Sequence, residues 1–293
     1  LGQTERRRLM SADPLAPESL IGHVKDSDAI HLPGAFLPNA EHPGTWQIPQ
    51  PFESLGFEIT KFMLLEVVAG VLMLAIFIPI AWKISSGKPV KGRFWNLIEA
   101  FLVFLRDEVA RPAIGRKDAD RFLPFIWTIF FFVLGCNLLG MIPWAGSPTG
   151  SLSCTGALAL ITFGVVTCSG MKKYGLVGFW TGQVPHMEVP LIMGIFIKPM
   201  IFAIEVIGMV IKHFVLSVRL LANMFAGHMV LGAMLGFIAF TADKHILLWS
   251  SVTAASLFGA TAISFLELFV AFLQAYIFAF LSALFIGMAI HQH

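Results

Sequence analysis

Hydrophobic and polar positions alternate in long blocks along this chain, and the blocks are too long for the interior of a soluble domain. Residues 1–51 are polar, rich in proline and without clear periodicity, which predicts an extended segment lying on a membrane surface or a partner. The first apolar block, Phe62 to Trp82, is long enough at roughly 1.5 Å per residue to cross a bilayer as a helix. Two more follow, Phe122 to Pro143 and Leu152 to Met171. Between the first and second, Phe94, Leu97, Ile98, Phe101, Leu102, Leu105 and Val109 recur at helical spacing opposite Glu99, Arg106 and Asp107. That stripe predicts an amphipathic helix in the membrane interface.

The last two apolar blocks exceed a single upright crossing. Residues 189–240 would extend roughly 75 Å as a helix and residues 246–290 roughly 65 Å, against a hydrocarbon core of roughly 30 Å. Strong tilt or a break near Pro199 is therefore expected. Only Thr241 to His245 separates the two blocks, which predicts an antiparallel hairpin. The expected fold is an all-α membrane protein with about five spanning helices and one interfacial helix. A polar extension over residues 1–55 would precede a single helical membrane domain over 56–293.

Composition agrees with this pattern. The chain is 57% hydrophobic and 13% charged, with a mean hydropathy of +0.79, outside the range of soluble domains. The net charge of +2 is uninformative as a total, because the basic residues are concentrated. Nine Lys or Arg lie between Lys83 and Arg121, whereas the loop from Pro143 to Ser151 has no charge, so the first connection is expected on the cytoplasmic or matrix side. Cys136, Cys154 and Cys168 lie in apolar runs with no close pairing and read as packing residues. Arg6, Arg7 and Arg8 are not followed by an apolar segment until about residue 62, unlike a secretory signal, and a start at Leu1 is the expected mark of a processed or incomplete N-terminus.

Against this apolar background a few polar side chains stand out. Arg219 sits within residues 217–237, where His228 is the only other ionisable group. An arginine at mid-membrane depth costs roughly 2.5–3.5 kcal/mol on insertion scales and cannot neutralise itself, so a functional reason is expected. Glu205 lies fourteen positions earlier, on nearly the same helix face and roughly 21 Å towards the basic side. Asn223 follows Arg219 by one turn; His228 follows by nine positions and faces about half a turn away.

The last block adds Glu267 and Gln274, seven residues apart and nearly on one face. With Gln274 level with Arg219 in a hairpin, Glu267 falls at the depth of His228. Such an order of groups suits an ion path, with His228 and Glu267 serving the uncharged side, Glu205 the basic side, and Arg219 between them. Structural readings compete: an interhelical hydrogen bond for the histidine, and an ion pair with Arg219 for a glutamate. His23, His31, His42, His245, His291 and His293 fall in terminal or loop segments and are expected to be solvated, with His186 and His213 left open.

The run RLLANMFAGH, residues 219–228, resembles the signature of subunit a of F-type ATP synthases. GRFWNLIEAFLVFL (92–105), RFLPFIWTIFFFVLGCNLLGMIP (121–143) and LQAYIFAFLSALFI (273–286) are similar to its interfacial helix, its next span and its last helix. The resemblance covers about residues 55–290. It implies that Arg219 faces the carboxylates of a ring of c subunits and separates two aqueous half-channels. Asn223 and Gln274 would lie beside it, Glu205 would belong to the outlet half-channel, and His228 with Glu267 would form the access pair. Where many members carry Asp or Asn residues after the loop proline, this chain has Ser151 and Ser153.

The resemblance further implies a non-catalytic subunit with no active site, cofactor or metal of its own, in a multi-pass position in a bacterial or mitochondrial inner membrane. Its partners would be the c-subunit ring, peripheral-stalk b-type subunits, other ATP synthase subunits and membrane lipids, but no nucleic acid. A stand-alone secondary ion transporter is the alternative, although the two halves show no convincing internal repeat. Membrane hydrolase or metal-oxidase motifs are lacking. Proton and sodium coupling are not distinguished.

Overall fold

In hydrocarbon every backbone N–H and C=O needs a partner within the chain, so long apolar runs fold as helices. A computed structural model describes residues 29–31, 45–48, 60–85, 92–142, 147–183, 191–242 and 244–291. The spanning candidates become α1 (Lys61–Ser85), α4 (Ala119–Gly140), α5 (Leu152–Tyr174), α7 (Leu191–Phe240) and α8 (Ile246–Ile290). These five helices are long and apolar enough to cross a membrane. The protein is an all-α, multi-pass membrane protein.

The interfacial segment is more elaborate than its stripe predicts. Helix α2 (Arg93–Phe104) runs into a π-helical turn, Leu105–Ala110, and then a short α3 (Arg111–Ile114). In the π turn the Arg111 N–H reaches the carbonyl of Arg106, five residues back. The extra residue shifts the register, so that Leu105, Val109, Ala110 and Ile114 are buried along with Ile98. Phe94 and Leu97, part of the predicted stripe, remain exposed. The remaining elements are a 3₁₀ turn at Pro148–Gly150 and a short helix α6 (Leu176–Thr181).

Two further differences concern continuity and the polar extension. Helix α7 continues through Pro199 without a break. Of the two outcomes expected for this block, tilt is the one left to fit about 75 Å of helix to a bilayer. Within residues 1–51, expected to be an extended segment, β1 (Ala29–His31) and β2 (Thr45–Gln47) pair antiparallel, with Ile30 opposite Trp46. His31, expected in a solvated loop, is therefore a strand residue.

The chain forms two compact units. One comprises Leu1–Ala69, Gly135–Ser151 and Leu221–Phe272; the other comprises Gly70–Leu134, Leu152–Leu220 and Leu273–His293. In the first, the side chain of Met234 lies over Gly259 and Glu267 lies against Gly227, so numbering falls along α8 as it rises along α7. In the second, Trp127 Nε1–H donates to the Leu102 carbonyl at 3.1 Å, and Phe101 packs on Phe130, tying α2 to α4. Ser217 Oγ–H donates to Thr155 Oγ1 at 3.1 Å between α7 and α5, and Tyr174 O–H donates to the Ile290 carbonyl at 3.0 Å.

Candidate functional site

The first unit brings His228 and Glu267 together. Nδ1 of His228 lies 3.4 Å from Oε1 of Glu267, whose side chain is only 5% exposed. The same Nδ1 is 2.8 Å from the Met224 carbonyl, and Nε2 is 2.9 Å from the Gly140 carbonyl. Carbonyl oxygens only accept, so a neutral ring meets one of them and the imidazolium meets both. Oε1 of Glu267 has no hydrogen bond among the described residues.

Gly227 leaves the room for this approach, and Gly140 leaves room for the neighbouring Ser147. A Cβ on Gly227 would lie 2.5 Å from Glu267 Oε1, and one on Gly140 would lie 2.5 Å from Ser147 Oγ. Both positions exclude any larger residue unless a neighbour moves.

A buried polar chain that the sequence did not single out runs beside the pair. Asn137, wholly buried, donates from Nδ2 to the Ala271 carbonyl at 3.3 Å and accepts from Thr149 Oγ1–H at 2.8 Å. Since that proton of Thr149 is committed, Ser147 Oγ–H is the donor in the 2.8 Å contact between the two hydroxyls. The chain thus has a fixed direction from Ser147 through Thr149 and Asn137 to Ala271. Asparagine in an apolar run was its one visible signal. Ser151 and Ser153 have interactions of their own in this structure.

The second unit holds Arg219, Gln274 and Glu205. Arg219 is half-buried on α7, and among the described residues it makes no hydrogen bond or ion pair. Gln274 on α8 is 7% exposed and also lacks a hydrogen-bond partner among the described residues. Among the described residues of this unit, Glu205 is therefore not an ion-pair partner of Arg219. Glu205 pairs instead with Lys212 at 3.8 Å. Asn223, half-buried on α7 in the first unit, makes no hydrogen bond among the described residues.

Glu205 and Lys212 line a cavity of about 390 Å³ with Gln183, Met209, His213 and His291 among its other walls. Buried His213, left open by the sequence, and His291, expected to be solvated, both belong to it. His291 is half-exposed and lies 3.8 Å from Asp118, which also pairs with Lys173 at 3.6 Å. His186 lies outside the described residues.

At the interfacial π turn, Asp107 accepts from Arg106 at 3.0 and 3.2 Å and from Arg111 at 2.7 Å. The Arg106 hydrogen bond holds the Asp107 carboxyl below its ordinary range against the opposing desolvation, with the charges of both arginines and the Arg111 hydrogen bond adding to it. Of the free thiols, Cys136 and Cys154 are buried and Cys168 is exposed.

The sequence is similar to those of known proteins. The ATP synthase A chain family matches residues 63–287. A protein of Myxococcus xanthus named ATP synthase subunit a is 38% identical over 281 residues, covering 92% of this chain and 88% of its own length. The subunit a of Anaeromyxobacter dehalogenans strain 2CP-C is 36% identical, over 94% of this chain and 70% of its own length. That of Chloroherpeton thalassium is 40% identical, over 80% of this chain and 68% of its own length. The chain belongs to the family of ATP synthase subunit a.

Proposed function

We propose that this chain is the stator subunit of a rotary ATP synthase that offers two offset proton half-channels to the carboxylates of a c-subunit ring, with Arg219 between them. The observation that carries the reading is the solitary charge of Arg219: a guanidinium in a spanning helix with no carboxylate partner among the described residues of its own chain. Such a charge calls for a carboxylate from another chain. Family membership supports the stator role and the other ATP synthase subunits as partners.

In this reading a ring carboxylic acid stays neutral in lipid, because an isolated carboxylate there is costly. Beside the permanent charge of Arg219 its anion is favoured, and the proton leaves by the Glu205 cavity. The emptied carboxylate is reprotonated through His228 and Glu267. Gln274 and Asn223 supply neutral polar groups near the guanidinium, with Gln274 read as level with it across α7 and α8. The same positive charge opposes a proton crossing directly between paths, so rotation carries it. Each charge crossing about 100 mV contributes roughly 2.3 kcal/mol.

The setting is an energy-transducing inner membrane, with peripheral-stalk b-type subunits as further partners. The basic connection from Lys83 to Arg121 puts Glu205 on the cytoplasmic or matrix side. A stand-alone ion transporter is the weaker reading, since family membership argues for work within the synthase.

Sided thiol labelling tests the two paths. In a background with exposed Cys168 replaced, Gly208→Cys beside Glu205 should react with impermeant reagents only from the basic side. Met229→Cys beside His228 should react only from the other. Reaction of both from one side would favour a simple pore and overturn the offset paths.

A further inference from the structure

We propose that His213 is a proton-carrying residue of the Glu205 cavity, with Nε2 as the atom that takes up and releases the proton. The proposal rests on the reading of that cavity as the outlet path. His213 lies eight positions after Glu205 and six before Arg219 on α7, roughly 12 Å and 9 Å along the helix axis. It therefore stands between the charge that would displace the proton and the carboxylate that would lead it out.

The ring is held in one orientation and one tautomer. Phe163 stands nearly perpendicular to it at a centroid distance of 5.2 Å, and Phe285 packs on it at 4.8 Å. Nδ1 lies 2.8 Å from the Met209 carbonyl, which only accepts, so Nδ1 carries a hydrogen. In the neutral ring the lone pair is then on Nε2. The residue is 4% exposed, and its buried Nε2 has no hydrogen-bond partner among the described residues.

A packing role alone does not require an unmet buried acceptor on a residue that shares a cavity with a Glu205–Lys212 pair. A phenylalanine would fill the aromatic slot without that cost. A cavity of about 390 Å³ holds on the order of ten waters at liquid density. His213 is one of the residues that line it.

The step is a plain proton transfer. Nε2 accepts a proton delivered from the Arg219 side, the ring becomes imidazolium, and Nε2 passes the proton to cavity water or the Glu205 carboxylate. The Nδ1–H remains on the Met209 carbonyl throughout, and no electrons change hands. The other titratable groups facing the cavity are Glu205 and Lys212 on α7, paired with each other, and His291 at the end of α8, paired with Asp118. Helix α5 contributes Val166 and no titratable group.

The test is passive proton conduction by the reconstituted membrane sector, with the access-side pH fixed and the basic-side pH varied from about 5 to 8, across the usual histidine value. A His291→Gln background removes the other cavity histidine. In it, conduction should show an inflection in that range. His213→Phe, which keeps the aromatic packing, and His213→Gln, which keeps polarity without titrating there, should both remove the inflection and lower conduction by about tenfold or more.

Either variant keeping both rate and inflection overturns the proposal. So does a background profile with no inflection, which requires neither variant to assemble. Glu205→Gln, measured in parallel, separates the two ideas. Unchanged conduction there overturns the outlet reading itself, whereas reduced conduction there with unaffected His213 variants overturns only the role of His213.

Discussion

Nδ1 of His228 lies 3.4 Å from Oε1 of Glu267, across two helices whose numbering runs in opposite senses at that point. If the pair acts as one proton-accepting unit, His228→Ala and Glu267→Gln should each slow proton uptake, while the double variant should be little worse than either. A double-mutant cycle on ATP-driven pumping should give a coupling of about 0.5–3 kcal/mol. Additive losses would assign the two residues to separate paths.

Gly227 leaves the space that the Glu267 carboxylate occupies. A Cβ there would come within 2.5 Å of Oε1, so Gly227→Ala must displace the carboxylate from His228. The expected strain is roughly 1–3 kcal/mol, read as slower proton uptake in assembled complex. Gly70→Ala is the control, because a Cβ at Gly70 meets nothing within 4 Å. Equal behaviour of the two variants would remove any need for the small residue at 227.

Asp107 predicts a pH dependence at the interfacial π turn. Its carboxyl titrates below its ordinary range in the folded chain, held there first by the Arg106 hydrogen bond. The unfolded chain therefore binds this proton more readily, and stability from the Arg106–Asp107–Arg111 cluster is complete above the ordinary carboxylate value of about 3.9. It is lost as pH falls through the depressed folded value. Amide protection over residues 105–111, corrected for intrinsic exchange, should hold at about pH 5 and fall below about pH 4. Asp107→Asn should show the low protection at both values. Exposed ion pairs contribute little overall, so the change should stay local.

Much of this was legible because membrane helices declare themselves by length and apolarity. The starts of α1 and α5 fall within a residue of their apolar runs, and the shared location of His228 and Glu267 follows from counting along two helices joined by a short polar link. The π turn was not legible, because one inserted residue changes the register without interrupting the apolar pattern from Ile98 to Val109. Nor was the Ser147–Thr149–Asn137 chain, whose members meet only when the loop folds back on α4. His213 and His291 are separated by most of two helices in sequence and share one cavity. Tilt and a break at Pro199 were both open from the apolar pattern, and α7 runs through the proline uninterrupted.

Arg219 provides the most direct measurement of the central claim, because the claim depends on a permanent charge at that position. Complexes carrying Arg219→Ala and Arg219→Lys should assemble with normal subunit content, since the residue makes no hydrogen bond or ion pair among the described residues whose loss would unsettle the fold. Both should fail to couple proton flow to ATP synthesis. The lysine variant fails because a desolvated ammonium can shed its proton and lacks the planar fork of the guanidinium. ATP synthesis by purified, reconstituted Arg219→Lys complex under an imposed proton gradient is the assay. The predicted result is synthesis at background level, and synthesis at the wild-type rate would contradict the account.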